Sequence, residues 1–463
     1  MSKNKTLCIA EWQSFGKDEI KATIADMDDE KAQKIFDELK AFANQKGNFD
    51  DREGNHIFLT PYRNNQLKAR NYVGLIQTKS GFCLEILPKT FRTANENEGF
   101  EKHQDKINEA KDLLLKMLKT LKNSPFKQSH ISNLKTQNAH LLEIFVIMFL
   151  NELETLIKKG LKSDYIECEQ NRKFLKGKLL FTQNLKHNFA HKERFFTASD
   201  EFSSDIVPNK LIKSTLLLLS TRNFSTKTNA RIMQSRFVFD EISPSQNFDL
   251  DFAKCVNLRH FKAYELILLW CKIFLKKQTF TAYQGSQDAF ALLFDMNKLF
   301  ESFVAWHLKR YVAHEQCEYK VKTQDTGKHL LLENDKENKF RIRPDIVGYK
   351  NNKANFIADT KWKILNFSRN DYGVSQSDLY QVFAYLSKYQ CQNGILIYPK
   401  IDDENNDLQK LSKQTFTYKA VSNLSDDDNK QPSHTLQIYF FDLDKAQNSQ
   451  IYPFEDLNSK IFA

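Results

Sequence analysis

Two short apolar runs, each interrupted by a carboxylate and separated by turn residues, constrain this chain more than any other feature. The first is Arg341-Ile-Arg343-Pro344-Asp345-Ile346-Val347. The second is Asn355-Phe-Ile-Ala-Asp359-Thr-Lys361. Between them, Gly348–Ala354 supplies Gly and Asn-Asn, residues that favour tight turns. An antiparallel hairpin centred on Asn352 sets position 345 opposite position 359, since each lies seven residues from that centre. Directly opposed Cβ atoms lie about 5 Å apart. Asp359 and Lys361, two apart, share one strand face.

Two carboxylates that close on one face repel unless a cation or a proton lies between them. The pattern suits metal-assisted phosphodiester hydrolysis. Hard oxygen ligands hold Mg²⁺, with several of its waters retained. The metal polarises the phosphate and activates water. The Lys361 ammonium is placed to orient that water or to stabilise the charge developing on phosphorus. Alone, Asp359-Thr-Lys361 carries little weight, because D-x-K tripeptides arise by chance in a chain with 54 Lys. Two helical stretches add to it. In Phe294–Trp306, apolar residues surround Glu301; a buried Glu needs a partner such as a metal or its water, or equally Glu301 pairs with a Lys or Arg at the surface. In Ser377–Tyr385, Gln381 and Tyr385 are i and i+4 on one helix face, suited to orienting a metal-bound water or a DNA phosphate, or equally two polar residues on a solvated face.

The rest of the pattern reads as an α+β multidomain chain. Its 463 residues suggest about three domains. Residues 1–103 read as a mixed, strand-rich domain, with a helix near Asp28–Phe42 and strands near His56–Thr60, Asn71–Thr78 and Phe82–Leu87. Residues 104–290 read as mainly helical, interrupted by a basic, aromatic strand or loop segment at 165–206. Residues 291–463 read as a compact α/β domain. It comprises a helix (Ala291–Val312), strands (Lys339–Tyr349 and Asn355–Ile364), a helix (Ser377–Tyr389) and two more strands (Gly394–Pro399 and Thr435–Phe441). An Asp/Asn/Lys-rich connection spans 401–433.

Net charge is +10, and only 14 of the 68 basic residues are Arg. That balance permits a polyanionic partner and leans toward phosphate contact over base reading. Seven dispersed Cys without a CxxC indicate neither a disulfide framework nor a structural zinc site. The N-terminus lacks an apolar signal core, and no apolar stretch approaches the roughly 20 residues of a membrane span. The expected location is the cytoplasm.

Taken together, Glu301, Asp345, Asp359/Lys361 and Gln381/Tyr385 resemble, in kind and order, the PD-(D/E)xK nuclease superfamily. Upstream, Tyr72-Val-Gly-Leu-Ile-Gln, Leu84-Glu-Ile-Leu-Pro-Lys89, Leu175-Lys-Gly177-Lys178, Asn209-Lys-Leu211 and Phe294-Asp-Met-Asn-Lys-Leu-Phe-Glu301 resemble the McrC family over residues 60–400. McrC proteins are the nuclease subunits of McrBC-type, 5-methylcytosine-dependent restriction systems. The resemblance implies a Mg²⁺-dependent endonuclease domain with Glu301, Asp345 and Asp359 as metal ligands and Lys361, Gln381 and Tyr385 completing the catalytic set. It further implies an McrB-like AAA+ GTPase hexamer as partner. On the resemblance, that partner is expected to bind the GTP and read methylated double-stranded DNA, and the N-terminal part of this chain to stimulate it. Residues 1–50 and 401–433 have no counterpart in the resemblance. Lys176-Gly177-Lys178 stands where an Arg-Gly-Arg pattern is common.

Other features offer less. His187 and His191 are i, i+4, a spacing for two metal ligands on one helix face, but no third ligand follows. The run Arg172–Phe196 suits phosphate contact with base stacking, or equally a solvated strand pair with core Phe. No G-x-x-x-x-G-K-[ST] loop occurs. Two rival readings stand beside the nuclease subunit: a stand-alone RecB-like repair nuclease, suggested by Gln381-x-x-x-Tyr385, and a non-catalytic GTPase activator.

Overall fold

The computed structural model describes residues 6–24, 27–44, 57–90, 100–122, 124–128, 140–255, 262–275, 289–315, 318–333, 337–365, 370–400, 414–418 and 434–447, with Leu411 and Phe454. Its N-terminal part is built on a four-stranded sheet of β1 (Thr6–Ala10), β6 (Cys83–Leu87), β5 (Tyr72–Thr78) and β10 (Ala289–Asp295), in that spatial order. Beside it, β2 (Ser14–Phe15), β4 (Gln66–Ala69) and β3 (Leu59–Tyr62) form a small antiparallel sheet. Helices α1 (Lys17–Thr23) and α2 (Asp29–Ala43) accompany them. Asp28 caps α2 by accepting from Lys31 N, and Ile35, Phe36, Leu39 and Phe42 at helical spacing supply its buried stripe.

The middle of the chain is helical. It contains α3 (Phe100–Thr120), α4 (Leu141–Lys159), α6 (Val207–Ser220), α7 (Thr226–Val238), α8 (Phe248–Cys255) and α9 (Glu265–Leu275). Between α4 and α6 lies an arm made of β7 (Asp164–Arg172), β8 (Lys178–Leu179), α5 (Phe181–Asn188) and β9 (Phe195–Ser203), with β9 central in its sheet. The stripe Ile107, Ala110, Leu114, Met117 and Leu121 is buried as its period requires.

The C-terminal part begins with α10 (Met296–His314). A six-stranded sheet follows, in the order β11 (Lys320–Thr323), β14 (Ile346–Lys350), β15 (Lys353–Thr360), β16 (Asn393–Pro399), β18 (His434–Phe441), β17 (Thr415–Tyr418). β15, β16 and β18 run parallel, with α11 (Gln376–Tyr389) in the β15–β16 crossover. A separate hairpin joins β12 (His329–Glu333) to β13 (Glu337–Arg341).

Two expectations are corrected. The helix expected at Ala291–Val312 begins at Met296, because Ala289–Asp295 pairs with β5 as β10. A short apolar run serves a buried strand as well as a helix, and periodicity does not separate them. The boundary expected at 290/291 therefore falls inside β10. Gly74 permits this pairing: a Cβ there would lie 2.0 Å from the Leu292 carbonyl oxygen. The strand expected at Lys339–Tyr349 is two strands, divided at residues 342–345. Pro344 has no N–H to give a ladder. The connection expected at 401–433 lies largely outside the described residues.

Glu85 anchors the N-terminal sheet. It is fully buried on β6, 2.8 Å from Lys111 Nζ of α3, and accepts from Leu141 N of α4 at 2.7 Å. Burial alone would raise its pKa; His140 and Lys111 outweigh that and hold it at about 2. One carboxylate thus ties the sheet to two helices. Lys111→Met removes the ammonium partner of a buried charge, and the expected loss is about 3–5 kcal/mol, read by thermal or urea unfolding. The double variant Glu85→Gln/Lys111→Met should recover most of it. A single variant as stable as the parent would show that the pair is not the anchor.

Candidate active site

The β14–β15 hairpin turns through Asn351 and Asn352, both with left-handed φ (50° and 62°), the conformation of a two-residue type I′ turn. Lys350 faces Lys353 and Tyr349 faces Ala354, but Gly348 faces Phe356. Asn355 is therefore an extra residue, a β-bulge. Without it, position 345 would continue the register opposite Ala358, and Asp359 would fall on the other face. With it, Ile346 faces Ala358, and one further step sets Asp345 opposite Asp359. The register rests on an even turn plus one bulge, not on symmetry about Asn352. Gly348 makes room for it, since a Cβ there would lie 2.0 Å from the Phe356 ring.

Asp345 lies at the bend that precedes β14. Its Oδ2 accepts from the Thr360 backbone N at 2.8 Å and the Thr360 hydroxyl at 2.7 Å. Asp359 is 1% exposed near the end of β15. Its Oδ2 lies 2.7 Å from Lys361 Nζ. Lys361 Nζ also donates to Gln381 Oε1 at 2.9 Å, and Gln381 Nε2 donates to the Tyr385 hydroxyl at 2.7 Å. Tyr385 in turn donates to the Arg343 carbonyl oxygen at 3.3 Å. The expected helix face of Gln381 and Tyr385 thus closes a chain of hydrogen bonds from the D-x-K strand back to the Pro-Asp segment.

Glu301 reaches this group from α10. Burial, then the charge of Asp345, raise its pKa to about 8, against hydrogen bonding by Gln324 and the charge of Arg343. Burial and Asp345 likewise raise Asp359, against Lys361. Burial raises Asp345, against its two bonds from Thr360. Burial would lower Lys361, but Asp359 outweighs it and keeps the ammonium charged. Among the described residues no three His, Cys, Asp or Glu side chains are gathered as a metal-binding group. Glu301 feels the charges of Asp345 and Asp359 without being gathered with them into such a group. Mutual repulsion of three carboxylates favours that spacing.

Several residues here had escaped the sequence reading. Asp378, buried in the first turn of α11, lies 2.7 Å from Lys363 and 3.6 Å from Lys361. Trp362, next to Lys361, donates its indole N–H to Glu11 Oε1 at 2.5 Å. Lys89 donates from its backbone N to the same oxygen and from Nζ to the Trp362 carbonyl, with Nζ 5.1 Å from the Trp362 ring centre. This node fastens the N-terminal segment to the D-x-K strand. The Leu-Pro-Lys89 motif was its only sequence signal. His187 and His191 are not brought together: α5 ends at Asn188, His187 stacks on Phe196, and His191 sits by Glu193.

The raised carboxylates predict a pH dependence. A folded-state pKa above the unfolded one favours the protonated form, so stability is complete below about pH 4.5 and falls as pH rises toward 8. Without divalent cations, Glu301→Gln should melt higher than the parent at pH 8 and equally at pH 4.5. Equal melting at both would show that Glu301 carries no such strain.

No curated protein matches the sequence. Among solved structures, the fold is similar to a chain of the refined half-complex from the tetradecameric assembly of Thermococcus gammatolerans McrB AAA+ hexamers with bound McrC. The TM-score is 0.59 at 18% identity, over 96% of this chain and 98% of that one. A chain of the T. gammatolerans McrBC complex aligns with a TM-score of 0.43 at 20% identity, over 68% of this chain and 89% of that one. The family model of the McrBC 5-methylcytosine restriction system component matches residues 67–399. That span is well over half of the sequence and includes Glu301, Asp345, Asp359, Lys361, Gln381 and Tyr385, so the chain belongs to the McrBC 5-methylcytosine restriction system component family.

Proposed function

We propose that this chain is the McrC-like nuclease subunit of a modification-dependent restriction complex, a Mg²⁺-dependent DNA endonuclease of PD-(D/E)xK type. The observation that carries the reading is the bulged hairpin whose register, Ile346 facing Ala358, sets Asp345 opposite Asp359 when continued by one residue, with Lys361 two residues on. The donor chemistry fits a hard divalent cation. Burial raises the pKa values of all three carboxylates, and the charge of Asp345 adds to it at Glu301 and Asp359, while buried Asp359 Oδ2 has the Lys361 ammonium beside it at 2.7 Å. Asp345, Asp359 and Glu301 would hold the ion, which supplies phosphate polarisation and an acidified water. Lys361 orients the attacking water and stabilises the developing phosphorane charge. Gln381 and Tyr385 hold Lys361 in place, and Thr360 holds Asp345.

The partner in this reading is an McrB-like AAA+ GTPase hexamer, which binds the GTP and reads methylated DNA. The similarity to a chain from an assembly of McrB hexamers with bound McrC supports it, as does the arm of β7, α5, β8 and β9. That arm carries large apolar side chains in solvent: Tyr165, Phe174, Phe181, Phe189 and Phe202 are all more than half exposed. Exposed apolar surface rimmed by charge marks a docking surface. The intact carboxylates and ammonium favour this reading over a non-catalytic activator. The arm favours it over a stand-alone repair nuclease.

Two measurements test it. In plasmid cleavage with the GTPase partner, GTP and Mg²⁺, Asp359→Ala should abolish cutting and Lys361→Ala should lower it by about 10²–10³-fold, both with GTPase stimulation retained. Full cutting by either variant would place the site elsewhere. Phe189→Asp should leave melting unchanged and weaken stimulation of the partner GTPase about tenfold or more. Robust GTP-independent cutting by the isolated chain would favour the stand-alone nuclease.

A further inference from the structure

The β12–β13 hairpin carries a feature that the catalytic arrangement does not use. His329 faces Arg341 and Leu331 faces Lys339, but the Leu330–Phe340 pair between them is missing from the ladder. Phe340 has φ +55°, a left-handed conformation that is an outlier for a bulky aromatic residue. Residues opposed across a ladder normally share a face. Here Leu330 packs on the core while Phe340 is 70% exposed. The backbone is strained at the position where a large apolar ring leaves the protein, and strain of this kind clusters at functional sites.

The surroundings indicate what meets the ring. Lys328, Lys339, Arg341 and Arg343 are all exposed around the base of the hairpin. Glu333 and Glu337 pair in register at its far end. Phe340 precedes Asp345 by five residues, so it lies within about 18 Å of the candidate site even along extended chain. The linker is held at both ends: Ile342 N donates to the Lys328 carbonyl at 3.1 Å, and Arg343 bonds Gln324 and, through its carbonyl, Tyr385. An apolar ring among cations, tethered to the cleavage site, is complementary to duplex DNA: cations meet phosphates, and inserted apolar side chains unstack a base step.

We propose that Phe340 is a DNA wedge, its ring entering the duplex beside the scissile phosphate while Lys328, Arg341 and Arg343 contact the flanking phosphates. This deepens the nuclease reading and rests on it. Insertion kinks the duplex and turns a backbone phosphate toward the carboxylates.

The test uses the full-length chain assembled with its GTPase partner, as wild type, Phe340→Gly and Phe340→Trp. Glycine adopts positive φ without strain, so Phe340→Gly should melt no lower than wild type. With Mg²⁺ omitted, a methylated duplex carrying 2-aminopurine should brighten on binding wild type and Phe340→Trp, and not on binding Phe340→Gly. With Mg²⁺, Phe340→Gly should cut about tenfold more slowly, with GTPase stimulation unchanged. A Phe340→Gly protein that melts several degrees lower would make the ring a structural element and overturn the proposal. So would unchanged cutting, or brightening that does not depend on the ring. Lost GTPase stimulation with the DNA signal intact would assign the ring to the partner protein instead. The fluorescence readout needs no cleavage, so a wild-type complex that failed to cut would sink the nuclease reading while insertion was still decided.

Discussion

One extra residue in a β-hairpin sets the chemistry of the candidate site. Strand side chains alternate with a period of two, so a one-residue slip carries a side chain to the opposite face. The Asn351-Asn352 turn alone would send Asp345 and Asp359 to opposite faces; the bulge at Asn355 returns them to one. Phe356, folded over Gly348, occupies the space beside that bulge. The Thr360 bonds to Asp345, the Lys361 contact with Asp359 and the Gln381–Tyr385 relay are all downstream of this register.

The site is also built from outside its own sheet. β10 belongs to the N-terminal sheet, yet it runs directly into α10, the helix that carries Glu301. Asp295 joins the two by capping α10 and accepting from Asn71 on the way into β5. Glu11 and Lys89 grip Trp362, the neighbour of Lys361. The N-terminal sheet is in turn pinned to α3 and α4 by Glu85. A load on the N-terminal segment therefore meets the candidate site at two places, Glu301 and Lys361, through short polar contacts and one continuous backbone.

Charge explains why this site is held the way it is. Three carboxylates in a region of low exposure do not approach one another freely, and each is offset differently: Asp345 by Thr360, Asp359 by Lys361, Glu301 by Gln324. Asp378 extends the balance by taking Lys363 and sharing Lys361. A lysine between two aspartates stays protonated despite burial, which is the state that electrostatic stabilisation of a phosphorane requires.

By itself the sequence determined the residue kinds and their order: the Pro-Asp and D-x-K runs, Glu301 on a helix, Gln381 and Tyr385 at i, i+4, and the amphipathic stripes of α2 and α3. These are local, and local periodicity reports them. It also gave the opposition of positions 345 and 359, because a hairpin is a short-range object, although the bulge that achieves it was not read. What only the tertiary structure decided are contacts between residues far apart in the chain. The run Ala289–Asp295 is a strand because β5 offers it an open edge. Glu11 finds Trp362 across 351 positions of sequence, and Asp378 finds Lys363 because α11 crosses over β15. Phe340 is exposed because a single backbone angle left the β region. No residue pattern encodes these choices, since each depends on which partner surface folding brings alongside.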